Sequence, residues 1–257
     1  MPNFCYWSIG DGDHGRMLPS LVRSARAAGV KEPIHLWTDQ AGIQLCDTHP
    51  LEKAFDKEHY LFKLRFLKDE VSKLNYSHYA FLDADTWFVR NPGDIIARLM
   101  SLSPIHVSLE SNANNPRNRR PDWWGCPLSK YEALMREAGG RSQNVYNCNA
   151  GFWIVHRNAV RTVFDLAMHF HGFCSQRGHV FTEEAPLAYA MHMLCGDPEL
   201  HVLWKTSDVW ASDWTGAWKE RLPDGKPFLF EDYFTGEKYE VNPAIVHAMR
   251  SKELLAC

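Results

Sequence analysis

The first hundred residues alternate short apolar runs with amphipathic stretches, and that rhythm limits the fold more than any other feature of the chain. Phe4–Ile9 reads as a strand, Leu18–Ala28 as a helix closed by Gly29, and Ile34–Thr38 as a second strand. This is the βαβ pattern of a mainly parallel sheet covered by helices. A further helix is expected from about His59 to Leu74, because Leu61, Leu64, Leu67, Val71 and Leu74 recur at threes and fours. It leads into the most apolar strand of the chain, Tyr79–Asp85, which reads Tyr-Ala-Phe-Leu-Asp-Ala-Asp.

The pattern continues downstream. Asp94–Met100 and Ala159–His171 read as helices, and Ile105–Leu109 and Gly151–Val155 as strands. Glu183–Leu194 is expected to be helical with Pro186 in its first turn, where a missing N–H costs nothing. The stretch from Ser111 to Gly125 is polar, holds two prolines and reads as a loop. Phe228–Phe234 and Lys238–Val241, joined by Thr235–Glu237, suggest a hairpin that delivers the segment around His247. No repeat of 20 to 50 residues interrupts this order. With 257 residues and 45% apolar content, the chain reads as one α/β unit spanning 1–257.

Composition narrows the function. Lys plus Arg number 28 against 31 Asp plus Glu, a formal charge of -3, so bulk attraction to nucleic acid or anionic lipid is not expected. The apolar runs fall far short of the roughly 20 residues that cross a bilayer, and no membrane span or leader is expected. The 7 cysteines are scattered, without a C-x-x-C pair, which argues against a disulfide framework and a structural zinc. They read as reduced thiols of a cytoplasmic protein. The 10 tryptophans exceed what packing alone requires and suggest aromatic platforms for sugars or bases.

Asp83 and Asp85 close the apolar strand two residues apart, so strand alternation is expected to set both carboxylates on one face. At about 5 Å and an effective dielectric near 20 their repulsion is about 3 kcal/mol, which a cation would offset. Mg2+ or Mn2+ suits carboxylate oxygens and also binds phosphate oxygens. The chain carries no Gly-x-x-x-x-Gly-Lys motif, and the Gly-x-Gly-x-x-Gly spacing at Gly10-Asp-Gly-Asp-His-Gly15 holds two acids, so a metal-diphosphate site outside the P-loop and dinucleotide folds is expected.

On these residues the sequence resembles the nucleotide-sugar transferases of the GT-A fold, most closely the retaining family of glycogenin and the bacterial lipopolysaccharide galactosyltransferases. Asp83-Ala84-Asp85 is similar to the family's acidic motif, Asn149-Ala150-Gly151 to its Asn-Ala-Gly, and Asn91 and Asp94 stand in family-like places. The resemblance implies donor contacts from Tyr6, Ser8, Ile9, His14, Lys63, Asp83, Ala84, Asn149, Gly151 and Lys252, and a metal held by Asp83, Asp85 and His247. Lys252 follows His247 by five residues rather than the family's six, and Arg250 is its alternative. Glu183-Glu184 stands where the family has Asp-Gln. A glutamate at the second position could attack the anomeric carbon or stabilise an oxocarbenium-like transition state, so Glu184 is the catalytic candidate and Glu183 a holder of sugar hydroxyls. Both are otherwise explained as acids at a helix start.

Arg117, Arg120, Trp123 and Trp124 join cations to aromatic surface and form a candidate acceptor clamp, with Trp214 as a further aromatic. Trp210, Trp214 and Trp218 fall at fours, a spacing that suits core as well as a sugar-binding edge near Asp208 and Asp213. The expected activity is metal-dependent transfer of a sugar from a nucleoside-diphosphate donor, uridine-linked, to an acceptor hydroxyl; retention of the anomeric configuration is what the resemblance implies. The acceptor stays open: a glycan, a protein side chain, a small molecule or a modified nucleic-acid base, the last disfavoured by the net charge. A sugar nucleotidyltransferase and a non-catalytic carbohydrate-binding protein are the alternatives. The glycine-containing stretch Asp11–Gly15 is acidic, which suits a triphosphate loop poorly.

Overall fold

In the computed structural model, β1 (Phe4–Gly10) is buried at all 7 positions, because helices cover both of its faces. The structure describes residues 3–51, 61–140, 144–195, 209–212 and 227–248. Side chains of β1 alternate between two cores: Cys5, Trp7 and Ile9 enter one, Phe4 and Tyr6 the other. β2 (Ile34–Thr38) pairs in parallel with one side of β1 and β4 (His78–Leu82) with the other, and β3 (Asp47–Pro50) extends the sheet beyond β2. β9 (Tyr146–His156) runs antiparallel to β4 and to β6 (Ile105–Asn112), which closes the order β3-β2-β1-β4-β9-β6.

α1 (Gly12–Ala27) and α3 (Gly93–Met100) cover one face through Leu18, Leu21, Ile96 and Leu99. α2 (Phe62–Asp69), α4 (Leu128–Glu137), α5 (Val160–Ser175) and α6 (Glu184–Leu194) cover the other through Leu64, Leu134, Phe170 and Leu187. There Phe81 of β4 stacks on Trp153 of β9 at 5.0 Å and meets Trp7 edge-on at 4.7 Å. Each such ring removes enough apolar surface from water to contribute about 1.5–3 kcal/mol. A second sheet, in the order β10 (Trp210–Ser212), β13 (Ile245–His247), β5 (Thr86–Phe88), packs on the α1 side. β7 (Asp122–Trp123) with β8 (Cys126–Pro127) and β11 (Phe228–Glu231) with β12 (Lys238–Val241) form small hairpins.

Several boundaries differ from those expected. The strand expected over Tyr79–Asp85 ends at Leu82, because the chain turns at Asp83–Asp85 before β5. α1 begins at Gly12 instead of Leu18, since the polar first turn carries no apolar periodicity. The expected helix from His59 runs from Phe62 to Asp69 and is followed by a single 3-10 turn at Val71–Lys73; His59 itself lies outside the described residues. The polar 111–125 stretch is not wholly loop: β6 continues to Asn112, and the β7–β8 hairpin starts at Asp122. Trp210 is a fully buried residue of β10, in the core and not at a sugar-binding edge. Trp214, Trp218, Asp208, Asp213, Arg250 and Lys252 lie outside the described residues.

Candidate functional site

The acidic motif occupies the turn between the two sheets. Asp83 N–H donates to the Gly151 carbonyl at 2.8 Å and Thr86 Oγ1 donates to the Asp83 carbonyl at 2.8 Å, which fix the turn to β9 and to itself. The carboxylates converge through this turn, not through strand alternation. Asp85 is 3% exposed, whereas Asp83 faces the cleft with its side chain 24% exposed. β13 pairs with β5 so that His247 stands opposite Thr86, and Ala248 N–H donates to the Asp85 carbonyl at 2.8 Å. That register brings His247 Nε2 to 3.0 Å from Asp85 Oδ1 and 3.7 Å from Asp83 Oδ2, while Nδ1 lies 3.3 Å from Ser212 Oγ. One ligand atom from each of Asp83, Asp85 and His247 lies within 4.8 Å of the others. Two carboxylates and an imidazole at this spacing fit a hard or borderline divalent ion, and a second contact on the far ring nitrogen is what orients a ligating histidine.

These groups open on a cleft of about 720 Å³ at the carboxyl ends of β1 and β4. Ile9, Gly10, His14, Lys63, Asp83, Asn149, Gly151, Glu183 and Glu184 are among the residues that line it. Lys63 reaches from α2 and sits 2.8 Å from both Asp83 Oδ1 and Glu183 Oε1. Burial opposes its charge, but the two carboxylates outweigh that and hold its pKa above the ordinary lysine value. Its Nζ also stands 4.9 Å from the Phe81 ring centroid. Gly151 is required by packing: an added Cβ would meet Asn149 Oδ1 at 2.7 Å and the His247 ring at 3.0 Å. Its N–H donates to Asn149 Oδ1 at 2.7 Å, so Asn149 is held with its amide N–H groups turned to Glu110 at 3.2 Å.

Glu184 opens α6 and lies between this cleft and a second pocket of about 310 Å³ that Glu110, Arg120, Trp123, Trp124, Asn147 and Tyr233 line. Trp124 Nε1 donates to Glu184 Oε2 at 2.6 Å. Burial first, and then the neighbouring Glu110 and Glu183, push the Glu184 pKa up to about 8, against the Trp124 hydrogen bond and Lys63, which lower it. Glu110 is a member of the site that sequence reasoning missed. It stands within β6 as an isolated acid with no motif around it, and only the β6–β9 pairing sets it beside Asn147 and Asn149. In the second pocket Trp123 Nε1 and Asn147 Oδ1 are buried and have no hydrogen-bond partner among the described residues.

Some expected site residues are placed elsewhere. Tyr6 does not face the cleft: its position on β1 turns it into the opposite core, where it meets Phe88 edge-on at 5.4 Å. Ser8 is buried and donates to the Leu82 carbonyl at 2.7 Å, tying β1 to β4. Asn91 and Asp94 lie at the far end of the sheet, and Asn91 Oδ1 accepts from Gly93 N–H at the start of α3. Arg117 is exposed and pairs with Glu237. Arg120 and Trp123, by contrast, do line the second pocket: Arg120 stacks on Tyr233, 4.6 Å from the ring centroid, and Trp123 is 2% exposed against Tyr131 and Phe234. Lys252 and Trp214 belong to the segments outside the described residues.

No family model matches the chain, and no curated protein matches it in sequence. Solved structures do match it in fold. One is the crystal structure of the galactosyltransferase LgtC in complex with donor and acceptor sugar analogues, with a TM-score of 0.56 and 11% sequence identity over 98% of this chain and 95% of that one. The chain therefore has the GT-A architecture that its sequence resembled, a mixed, mainly parallel sheet flanked by helices.

Proposed function

We propose that this chain is a metal-dependent glycosyltransferase, a single domain over 1–257, that moves a sugar from a nucleoside diphosphate, a uridine-linked one, to an acceptor hydroxyl with retention. The observation that carries the reading is the convergence of Asp83 and Asp85 from one turn with His247 from a distant strand, in a cleft at the carboxyl ends of the parallel strands. Asp83, Asp85 and His247 would hold Mn2+ or Mg2+, which supplies charge neutralisation to a departing diphosphate. Lys63 adds a second positive charge beside Asp83, and Ile9, Gly10 and His14 form the wall available to the nucleoside. Asn149 and Glu183 face the donor sugar, and Gly151, by lacking a side chain, lets Asn149 and His247 pack against its backbone.

Glu184 is the group placed to act on the anomeric carbon. Its carboxylate either attacks that carbon as the bond to the diphosphate oxygen breaks, or stabilises the cationic centre that develops there. Burial and the neighbouring acids favour the neutral form of Glu184 in the empty cleft, whereas a cationic sugar carbon beside it would favour the ionised form. The second pocket suits the acceptor. Trp124 and Tyr233 offer flat faces there, with the polar groups of Glu110 and Asn147 beside them. This favours a glycan or another polyhydroxylated small molecule over a nucleic acid. Against the nucleotidyltransferase alternative, the entry to α1 presents Asp11, Asp13 and Asp39, whose Oδ2 accepts from Gly12 N–H, where a triphosphate would need donors.

No helix among the described residues is long and apolar enough to cross a membrane. We place the protein in the cytoplasm on the strength of Cys5, Cys46, Cys126, Cys148, Cys174 and Cys195, all of them free thiols. The test is donor hydrolysis across a panel of nucleotide sugars, with manganese and with chelator. Turnover is expected only with the ion and is expected to be lost in Asp85→Asn; equal turnover in chelator removes the proposed role of the acidic pair.

A further inference from the structure

Trp124 holds a backbone conformation that a tryptophan seldom adopts. β7 and β8 are joined by Trp124 and Gly125, with φ of 52° and 75°. Positive φ at both central residues is the signature of the type I′ hairpin turn, which favours Asn-Gly because asparagine tolerates the left-handed region. A bulky side chain there is strained and persists only where its surroundings dictate it. Here the ring lies 5.6 Å from Tyr131 and 5.8 Å from Phe181, yet the residue stays 37% exposed beside the second pocket. Packing alone does not explain a tryptophan at that place, since the adjacent Trp123 already fills the core beneath the hairpin.

What the strained residue alone provides is its N–H, 2.6 Å from Glu184 Oε2. An indole nitrogen donates and never accepts, so it selects an oxygen that carries no proton. Oε1 is thereby left as the oxygen that carries the proton when Glu184 is neutral and that meets substrate when it is charged.

We propose that Trp124 is a positioning residue for Glu184: the hairpin turn accepts strain so that the indole N–H fixes one carboxyl oxygen and presents the other at the boundary between the two pockets. The inference rests on the reading of Glu184 as the group at the reacting sugar carbon, and it extends that reading to a residue that touches the reaction only through another.

Two variants test it. Trp124→Phe keeps a ring but removes the N–H, and Trp124→Asn relieves the turn while removing the contact. The Asn-Gly turn of the second variant keeps the hairpin formed, which guards against loss of activity by misfolding. Each is compared with the wild type in donor turnover across pH and in carboxyl NMR titration of Glu184, assigned with Glu184→Gln. Both variants are expected to lose about 10- to 100-fold in kcat, the usual effect of a hydrogen bond to a charged group, with donor KM little changed. In both, Glu184 is expected to titrate at higher pH than in the wild type, because the donor that favours its charged form is gone. Wild-type kcat and an unmoved Glu184 titration in Trp124→Phe overturn the proposal, as does an active Trp124→Asn. If the wild type turns over no nucleotide sugar, the reading of the active site fails but the titration still decides: a shifted Glu184 supports positioning by Trp124, and an unshifted one refutes it.

Discussion

Replacing Gly151 by alanine tests whether His247 belongs to the metal shell. The added methyl would stand 2.7 Å from Asn149 Oδ1 and 3.0 Å from His247 Cε1 and Nδ1, all inside ordinary contact distance. Neither neighbour yields freely. Asn149 is tied to Glu110 at 3.2 Å, and the His247 ring is held between Asp85 at 3.0 Å and Ser212 at 3.3 Å. Gly151 has no positive φ, so the penalty is steric rather than conformational, about 1–3 kcal/mol for one overpacked methyl. If the ring moves to relieve it, that energy appears as about 5- to 150-fold weaker Mn2+ binding. Calorimetric titration of the metal-free protein with Mn2+ reads this directly, and thermal melting confirms that the variant is folded. Gly172→Ala is the control: Gly172 lies in α5 with open space around it, so the variant is expected to gain about 0.5–1 kcal/mol of stability with unchanged Mn2+ affinity. A folded Gly151→Ala protein that binds Mn2+ as the wild type does would refute the placement of His247 among the ligands.

Lys63→Met is expected to separate stability from metal affinity. It leaves Asp83 and Glu183 facing each other with no cation between them, at a cost of about 2–3 kcal/mol for a mostly buried pair, seen as a lower melting temperature. It also frees Asp83 Oδ1, so Mn2+ is expected to bind the free protein more tightly; weaker Mn2+ binding would show that Lys63 does not compete for that oxygen. Glu184 is expected to make the metal-free protein less stable as pH rises from about 5 to about 8. Its carboxyl binds a proton in the folded state up to about 8 but only near 4.5 when unfolded, so the folded form is favoured at low pH and that advantage is lost on ionisation. Discounted for its partial exposure, the effect is about 2–3 kcal/mol. Melting temperatures of the wild type and Glu184→Gln across this range are expected to diverge, the wild type falling faster; parallel curves would show that Glu184 is not held neutral.

The sequence alone determined the layering of the molecule and named the residues of its candidate metal site. Apolar runs alternating with amphipathic stretches can be satisfied only by a sheet covered on both faces, and Asp-Ala-Asp at the end of the most apolar run marks where charge must emerge from the core. His247, Lys63 and Asn149 were legible as members of an ordered family-like series, and Glu183 and Glu184 as two acids opening a helix. Tertiary structure alone decided which of the candidates meet. Strand alternation on β1 sends Tyr6 into the far core, and Ser8 is used to bind β1 to β4. The two aspartates converge because the chain turns after Leu82 and β13 lays His247 against that turn, a pairing across more than 150 residues that no local pattern encodes. Glu110 joins the site through the register of β6 on β9, and Trp124 through a turn whose strain is visible only in its backbone angle. Hydrophobic periodicity reports which face of a segment is buried; it carries no information on which distant segment buries it, and the chemistry of this cleft is made between segments.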